Sequence, residues 1–275
     1  MDYVQTTWRL MEHPPASGAW NMAVDEAILE SVYAGESLPT LRLYAWEPAC
    51  LSLGLAQPYR EVNQSALSAH GWEVVRRPTG GRAILHIDEL TYAVIAPEND
   101  PRVSGGVLES YLRLSKALMN ALEILGLTPE VNENTPGKKP EKANPVCFEV
   151  PSNYEITVRG KKLIGSAQAR RKEGILQHGT LPLWGDLTRV ITALNFPSAS
   201  AQTQAITRLV AHATTAEQEL SRAPSWQQAS LAFQEAFANT LNLNLQPGNL
   251  TDREKQRAKI LMEEKYANPS WTKRI

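Results

Sequence analysis

Apolar residues recur along this chain at two periods, and the switch between them marks its elements. From Val107 to Leu125, the residues Val107, Tyr111, Leu114, Leu118, Ala121, Leu122 and Leu125 fall three and four apart, the spacing of one face of an α-helix. Gly126 and Pro129 follow as stop signals. Asn21–Leu29 reads as the start of an amphipathic helix, with Asp25 and Glu26 suited to its N-terminal turn. Thr40–Tyr44 (TLRLY) alternates at period two, the pattern of a half-buried strand. Trp72–Arg76 and Glu89–Ile95 read as further strands, and Cys50 lies in the short apolar run ACLSLG, where a free thiol packs as a small hydrophobe.

Later in the chain, two strand-like runs flank the Gly160-Lys161 turn: Tyr154–Arg159 before it, and a run from Lys162 into Gly165-Ser166-Ala167 after it. A second turn, Lys172-Glu173-Gly174, leads into Ile175–Leu183, so 154–183 predicts a three-stranded antiparallel meander. Ser225 is a candidate N-cap for a helix over Trp226–Leu241. Asp252–Tyr266 reads as a charged helix anchored by Ile260, Leu261 and Tyr266, with Glu254, Lys255, Arg257, Lys259, Glu263, Glu264 and Lys265 as a solvated face. The fold class is therefore α/β (α+β), a mixed and antiparallel sheet flanked by helices. Residues 1–215 are expected to form one catalytic domain and 216–275 a small C-terminal helical extension.

Composition narrows the function. No apolar run in the 275 residues approaches the ~18 needed for a membrane span. The first residues show no basic stretch followed by an apolar one, the mark of a secretory leader. A net charge of -1 argues against general nucleic-acid binding. The two cysteines, Cys50 and Cys147, lack the companions of a zinc site. A cytoplasmic protein with reduced thiols, without metal or cofactor, is the expectation.

Two segments carry candidate chemistry. Arg76–His86 (RRPTGGRAILH) places paired glycines, which let backbone N–H groups approach a ligand, among arginines suited to carboxylate or phosphate; a plain solvated turn is the alternative. The second is Cys147, which follows a long Pro- and Lys-rich stretch and precedes the 154–183 meander. A thiolate attacks acyl groups, and a nearby cation such as Lys162 favours ionisation of a thiol whose free pKa is about 8.5. Taken alone, one Cys and one Lys fifteen residues apart in sequence leave both nucleophile and inert thiol open. His86 and His178 are rival candidates for a base.

The motifs NMAVDEA, SLGLAQ, RRPTGGRAILH, CFEVPSNYEI, GKKLIGSAQ and QHGTLPL occur in that order. In this set the chain resembles the biotin/lipoate protein ligase superfamily (lipoate-protein ligase A-like). Arg82 stands where ATP-dependent ligases of the superfamily carry a third glycine, and CFEVPS contains a Cys they lack. Both features are similar to the LipM-type octanoyltransferase branch. The resemblance implies transfer of octanoate from acyl carrier protein to a lysine of a lipoyl carrier such as glycine cleavage H protein. It implies Cys147 as acyl-thioester nucleophile and Lys162 as its assisting lysine. Arg76, Thr79, Gly80, Gly81, Arg82, His86, Gly165, Ser166, Ala167 and His178 would form the acyl pocket. Lys138, Lys139, Lys142, Arg170, Arg171 and Lys172 are candidates for steering acidic protein substrates.

Overall fold

The computed structural model describes residues 3–132, 155–172 and 174–275. Among them the strands are β1 (Thr6–Glu12), β2 (Thr40–Tyr44), β3 (Cys50–Leu53), β4 (Glu73–Arg76), β5 (Ile84–His86), β6 (Glu89–Ala96), β7 (Pro129–Asn132), β8 (Glu155–Val158), β9 (Lys161–Arg171), β10 (Gly174–Pro182) and β11 (Leu243–Pro247). The helices are α1 (Gly18–Tyr33), α2 (Gln64–His70), α3 (Val107–Ile124), α4 (Arg189–Thr192), α5 (Ala199–His212), α6 (Ala216–Leu220), α7 (Trp226–Leu241), α8 (Asp252–Leu261) and α9 (Pro269–Thr272). These strands form an eight-stranded mixed sheet, ordered β11-β1-β2-β6-β10-β9-β8-β7, and a three-stranded sheet, β4-β3-β5. The expected α/β class and the meander β8-β9-β10 are present.

Each face of the large sheet has its own core. On one face, Leu114, Leu118, Ala121 and Leu122 of α3 and Phe233, Ala236 and Phe237 of α7 meet Tyr92, Ile164 and Leu181 of the strands. On the other, Met22, Ala23, Ala27 and Ile28 of α1 cover Tyr44, Ala93, Ile95 and Leu176, with Ala258 and Leu261 of α8 behind the helix. A third cluster, including Leu51, Leu53, Leu85, Ile191 and Leu209, fixes the small sheet against α4 and α5. The cavity described below lies between the α1 face of the large sheet and the small sheet.

Several sequence expectations change here. The first helix begins at Gly18, capped by the Ser17 side chain, so Asp25 and Glu26 sit two turns in rather than at its start. Twelve of its sixteen residues are buried, because the sheet lies on one side and α8 on the other. It is therefore not an amphipathic surface helix. Thr40–Tyr44 is buried along its whole length, because the polar position Arg42 faces α1 and finds Asp25 there at 2.7 Å. The charged C-terminal helix is not simply solvated: Glu254 is buried against Arg9 at 2.6 Å, and Lys265 reaches Glu26 at 2.6 Å.

The proposed boundary at 215/216 does not separate two cores. α7 packs on α3 in the main core, and β11 extends the central sheet in parallel to β1. The segment 216–275 is thus woven into the domain rather than appended to it. No helix among the described residues is long and apolar enough to cross a membrane.

Candidate active site

The strand pairings set the cavity floor row by row. On the α1 face one row holds Arg42, Ala93, His178 and Ala167, and the next holds Tyr44, Thr91, Thr180 and Gly165. Gly165 and Ala167 leave the floor low, and Met22, Trp46, Ser52, Arg77, Gly81, Ile84 and His86 complete a small cavity of about 40 Å³.

Two hydrogen-bonded chains stiffen its walls. Asp25, fully buried, accepts from Arg42 at 2.7 Å and from the Tyr44 hydroxyl at 3.0 Å. Burial would raise its carboxyl pKa, but the Arg42 charge and His178 outweigh that, and the pKa ends below the ordinary value. His178 Nδ1 lies 3.6 Å from Asp25, and its Nε2 is 2.7 Å from Thr79 Oγ1. Burial lowers the imidazole pKa, and Asp25 offsets this only in part. In the second chain Ser52 Oγ is 2.7 Å from His86 Nε2, and His86 Nδ1 is 2.7 Å from Glu89. This is the connectivity of a Ser–His–carboxylate triad. However, Arg77 donates to Ser52 Oγ at 3.0 Å, and the His86 ring is stacked on Trp46 with centroids 4.0 Å apart. The chain acts as a strut that fixes the cavity wall.

Lys162 reaches the same face through an irregularity. Pairing of β8 with β9 is regular from Val158–Lys161 to Thr157–Lys162, then shifts so that Ile156 faces Ile164. One extra residue, Leu163, is accommodated on β9 as in a β-bulge. Leu163 and Ile164 both enter the α3/α7 core. Lys162 and Gly165 consequently share the α1 face, which strict alternation would forbid for residues three apart. Lys162 is 4% exposed, and its Nζ donates to Glu155 Oε1 at 2.7 Å.

The glycine loop is held from within. Arg77 donates to the carbonyls of Ser52, Gly80 and Arg82. Gly54 lies so close that a Cβ there would sit 1.9 Å from the Gly81 carbonyl oxygen.

A family model described as the lipoyl protein ligase A/B catalytic domain matches residues 17–238. The chain belongs to that family. It is 42% identical over 273 residues to the octanoyltransferase LipM of Kyrpidia tusciae, spanning 98% of this chain and 99% of that protein. Identity to the octanoyltransferase LipM of Carboxydothermus hydrogenoformans is 40% over 266 residues, 96% of this chain and 98% of the relative. Among solved structures, the archaeal bipartite lipoate protein ligase of Thermoplasma acidophilum aligns with a TM-score of 0.79 at 24% identity, covering 97% of this chain and 96% of that one. Lipoate-protein ligase A bound with ATP aligns with a TM-score of 0.78 at 24% identity, over 98% of this chain and 99% of that one. These two likenesses are of fold.

Within this lipoyl-ligase fold, Gly81, His86, Gly165, Ser166, Ala167 and His178 lie around the cavity. Ser166 turns its hydroxyl to Tyr92 on the far face, at 2.7 Å, so it offers the cavity its backbone. Thr79 touches the cavity through His178, while Gly80 and Arg82 lend carbonyls to Arg77. Arg76 does not fit its expected place in the pocket wall. All three of its guanidinium nitrogens donate to backbone carbonyls, those of Gly54, Leu55, Gln57 and Thr272. Two of the three arginines expected to suit a ligand anion, Arg76 and Arg77, bind carbonyls of the chain itself. The steering cluster is also altered: Arg170 donates to the Val103 carbonyl and Arg171 to Glu26. Cys147, Lys138, Lys139 and Lys142 lie outside the described residues.

Sequence reasoning missed Asp25, Arg42, Tyr44, Trp46, Ser52, Glu89, Glu155 and Thr180 as parts of this site. For Arg42 a signal existed, since it is a polar residue between Leu41 and Leu43 of a strand and occupies an inward position.

Proposed function

We propose that this protein is an octanoyltransferase that moves an octanoyl group from acyl carrier protein to a lysine of a lipoyl carrier, such as glycine cleavage H protein, in lipoate biosynthesis. The near full-length identity of about 40% to octanoyltransferases LipM carries the reading. In the first half-reaction the Cys147 thiolate attacks the octanoyl carbonyl. The carbon–sulfur bond to the carrier breaks, the carrier sulfur leaves with the proton that Cys147 gave up on ionising, and octanoyl-Cys147 remains. In the second, the neutral amine of the target lysine attacks that thioester. The amide forms, Cys147 is released as thiolate, and the amine proton passes to it or to a neighbouring base. Lys162, on the cavity face, stabilises the thiolate and the developing oxyanion. A thioester is already activated, so the amide forms without ATP.

An ATP-dependent ligase is the competing reading. It needs donors for a nucleotide phosphate, whereas Arg76 and Arg77 are engaged by backbone carbonyls. One experiment separates the two. The protein is incubated with octanoyl-carrier, or with octanoate plus ATP, and both Cys147 and an added lipoyl domain are weighed by mass spectrometry. An octanoyl adduct on Cys147 from the carrier, absent in Cys147→Ala, is the expected result. Modification from octanoate plus ATP alone, with release of AMP, would establish the ligase instead.

A further inference from the structure

Among the described residues, the cavity floor carries one hydroxyl with nothing to bond. Thr180 is fully buried and lines the cavity, and its Oγ1 has no hydrogen-bond partner among the described residues. The other hydroxyls around it are engaged. Tyr44 donates to Asp25. Thr91 donates to Glu89 and accepts from Trp46. Ser52 pairs with His86, and Thr79 with His178. Strand pairing sets Thr180 between Thr91 and Gly165, so one neighbour is already bonded and the other has no side chain. Native interiors leave few polar groups unpaired, because such a group forgoes its bonds to water. Valine has nearly the same shape and would line an apolar pocket without that cost. A threonine here implies a polar atom on whatever fills the cavity.

An octanoyl chain has one hydrogen-bonding group, the carbonyl at its thioester end. We propose that Thr180 donates its hydroxyl hydrogen to the carbonyl oxygen of the bound octanoyl thioester, and keeps that bond as the oxygen becomes an oxyanion in both half-reactions. The proposal rests on the acyl-transfer reading above. It places the carbonyl over the Thr180–Gly165 row, on the face that also carries Lys162, with the alkyl chain running past the low positions Gly165 and Ala167. Hydrogen bonds to an oxyanion are stronger than those to a neutral carbonyl, so the hydroxyl contributes more to turnover than to substrate binding.

The test uses the full chain charged with octanoyl-carrier bearing ¹³C at the carbonyl, and compares wild type with Thr180→Val and Thr180→Ser. The infrared band of the labelled thioester on Cys147 reports the bond directly. Wild type and Thr180→Ser should show the band at low frequency, and Thr180→Val should move it upward. kcat/KM for octanoyl transfer should fall about tenfold in Thr180→Val, the loss of one hydrogen bond, mainly through kcat, and return in Thr180→Ser. Should valine distort the strand, Thr180→Ala removes the hydroxyl without adding bulk and gives the same comparison. An unmoved carbonyl band in adducts of wild type and the hydroxyl-free variants would overturn the proposal alone. Absence of any octanoyl adduct on the wild-type protein would overturn the acyl-transfer reading and the proposal with it.

Discussion

Lys162 and Glu155 meet at 2.7 Å across the β8–β9 hairpin, with side chains 5% and 11% exposed. The two lie on the cavity face only because Leu163 bulges the strand between them and Gly165. Removing one partner of such a pair leaves the other poorly compensated, so Glu155 positions Lys162 as well as balancing its charge. If Lys162 assists the acyl chemistry, Lys162→Met lowers the single-turnover rate of Cys147 acylation by about 10²–10⁴-fold. Glu155→Gln, which keeps a hydrogen-bond acceptor but loses the charge, lowers it about tenfold, a loss of about 1.4 kcal/mol. A wild-type acylation rate in Lys162→Met, with folding intact by circular dichroism, would remove Lys162 from the mechanism.

The ease with which each part could be read from sequence follows from how local its cause is. The stripe on α3, the Ser225 cap and the Gly160 turn are set by neighbours a few residues away, so period and turn chemistry reveal them. Arg42 and Asp25 pair across seventeen residues of chain, and nothing near either announces the partner. The β11–β1 pairing joins residues more than two hundred apart, so a run of helices at the C-terminus concealed a strand. The site divides in the same way. The Gly-rich loop and Lys162 stand out by motif, but the fate of Arg76 depends on the Thr272 carbonyl contributed by α9. A guanidinium looks the same in sequence whether it awaits a ligand or holds the chain together.

The two glycines of the SLG and TGG motifs are related by contact. A Cβ at Gly54 would come within 1.9 Å of the Gly81 carbonyl oxygen, whereas one at Gly80 would meet nothing within 4 Å. Gly54→Ala therefore forces two backbone segments apart and costs about 1–3 kcal/mol, and Gly80→Ala leaves stability near wild type. Urea unfolding of the two variants checks this. Equal midpoints for both would show that the loops separate without strain.

Histidine titration gives a pH signature. His13 Nδ1 accepts a hydrogen bond from Arg42 Nε at 2.9 Å. Burial, aided by the Arg42 charge, lowers its pKa from 6.5 to about 4. The unfolded chain binds a proton on this residue that the folded chain refuses, so its stabilising contribution is complete above about 6.5. It is lost as pH falls from there towards 4. His178, also lowered by burial, acts in the same direction. Asp25 is depressed, so its contribution is retained above its ordinary value of 3.8 and lost only below it. His13→Gln should thus flatten the fall in stability between pH 7 and pH 4.5 and leave the loss below pH 3.8 in place. Parallel pH curves for variant and wild type between pH 7 and 4.5 would refute the assignment.

The Arg42–Asp25 pair offers a sharper energetic test, because both side chains are fully buried. Arg42 also donates to Asn21 Oδ1 and to the Asn21 carbonyl, so Arg42→Met leaves a buried carboxylate and several acceptors without their donor. A pair broken in this way costs about 3–5 kcal/mol, a large part of the total stability of about 5–15 kcal/mol expected for a domain. Asp25→Leu alone strands the guanidinium and should be similarly severe. The double variant Asp25→Leu/Arg42→Met removes both charges together, so its loss should be clearly smaller than the sum of the single losses. His178 then reports on function. Without Asp25 it loses the carboxylate 3.6 Å from its Nδ1 and keeps only Thr79 at Nε2, so the double variant should fold yet hold the cavity wall less firmly. On the octanoyl-transfer reading proposed above, its KM for octanoyl-carrier should rise while its unfolding remains cooperative. Additive stability losses in this cycle would mean that the two charges do not stabilise one another in the folded protein.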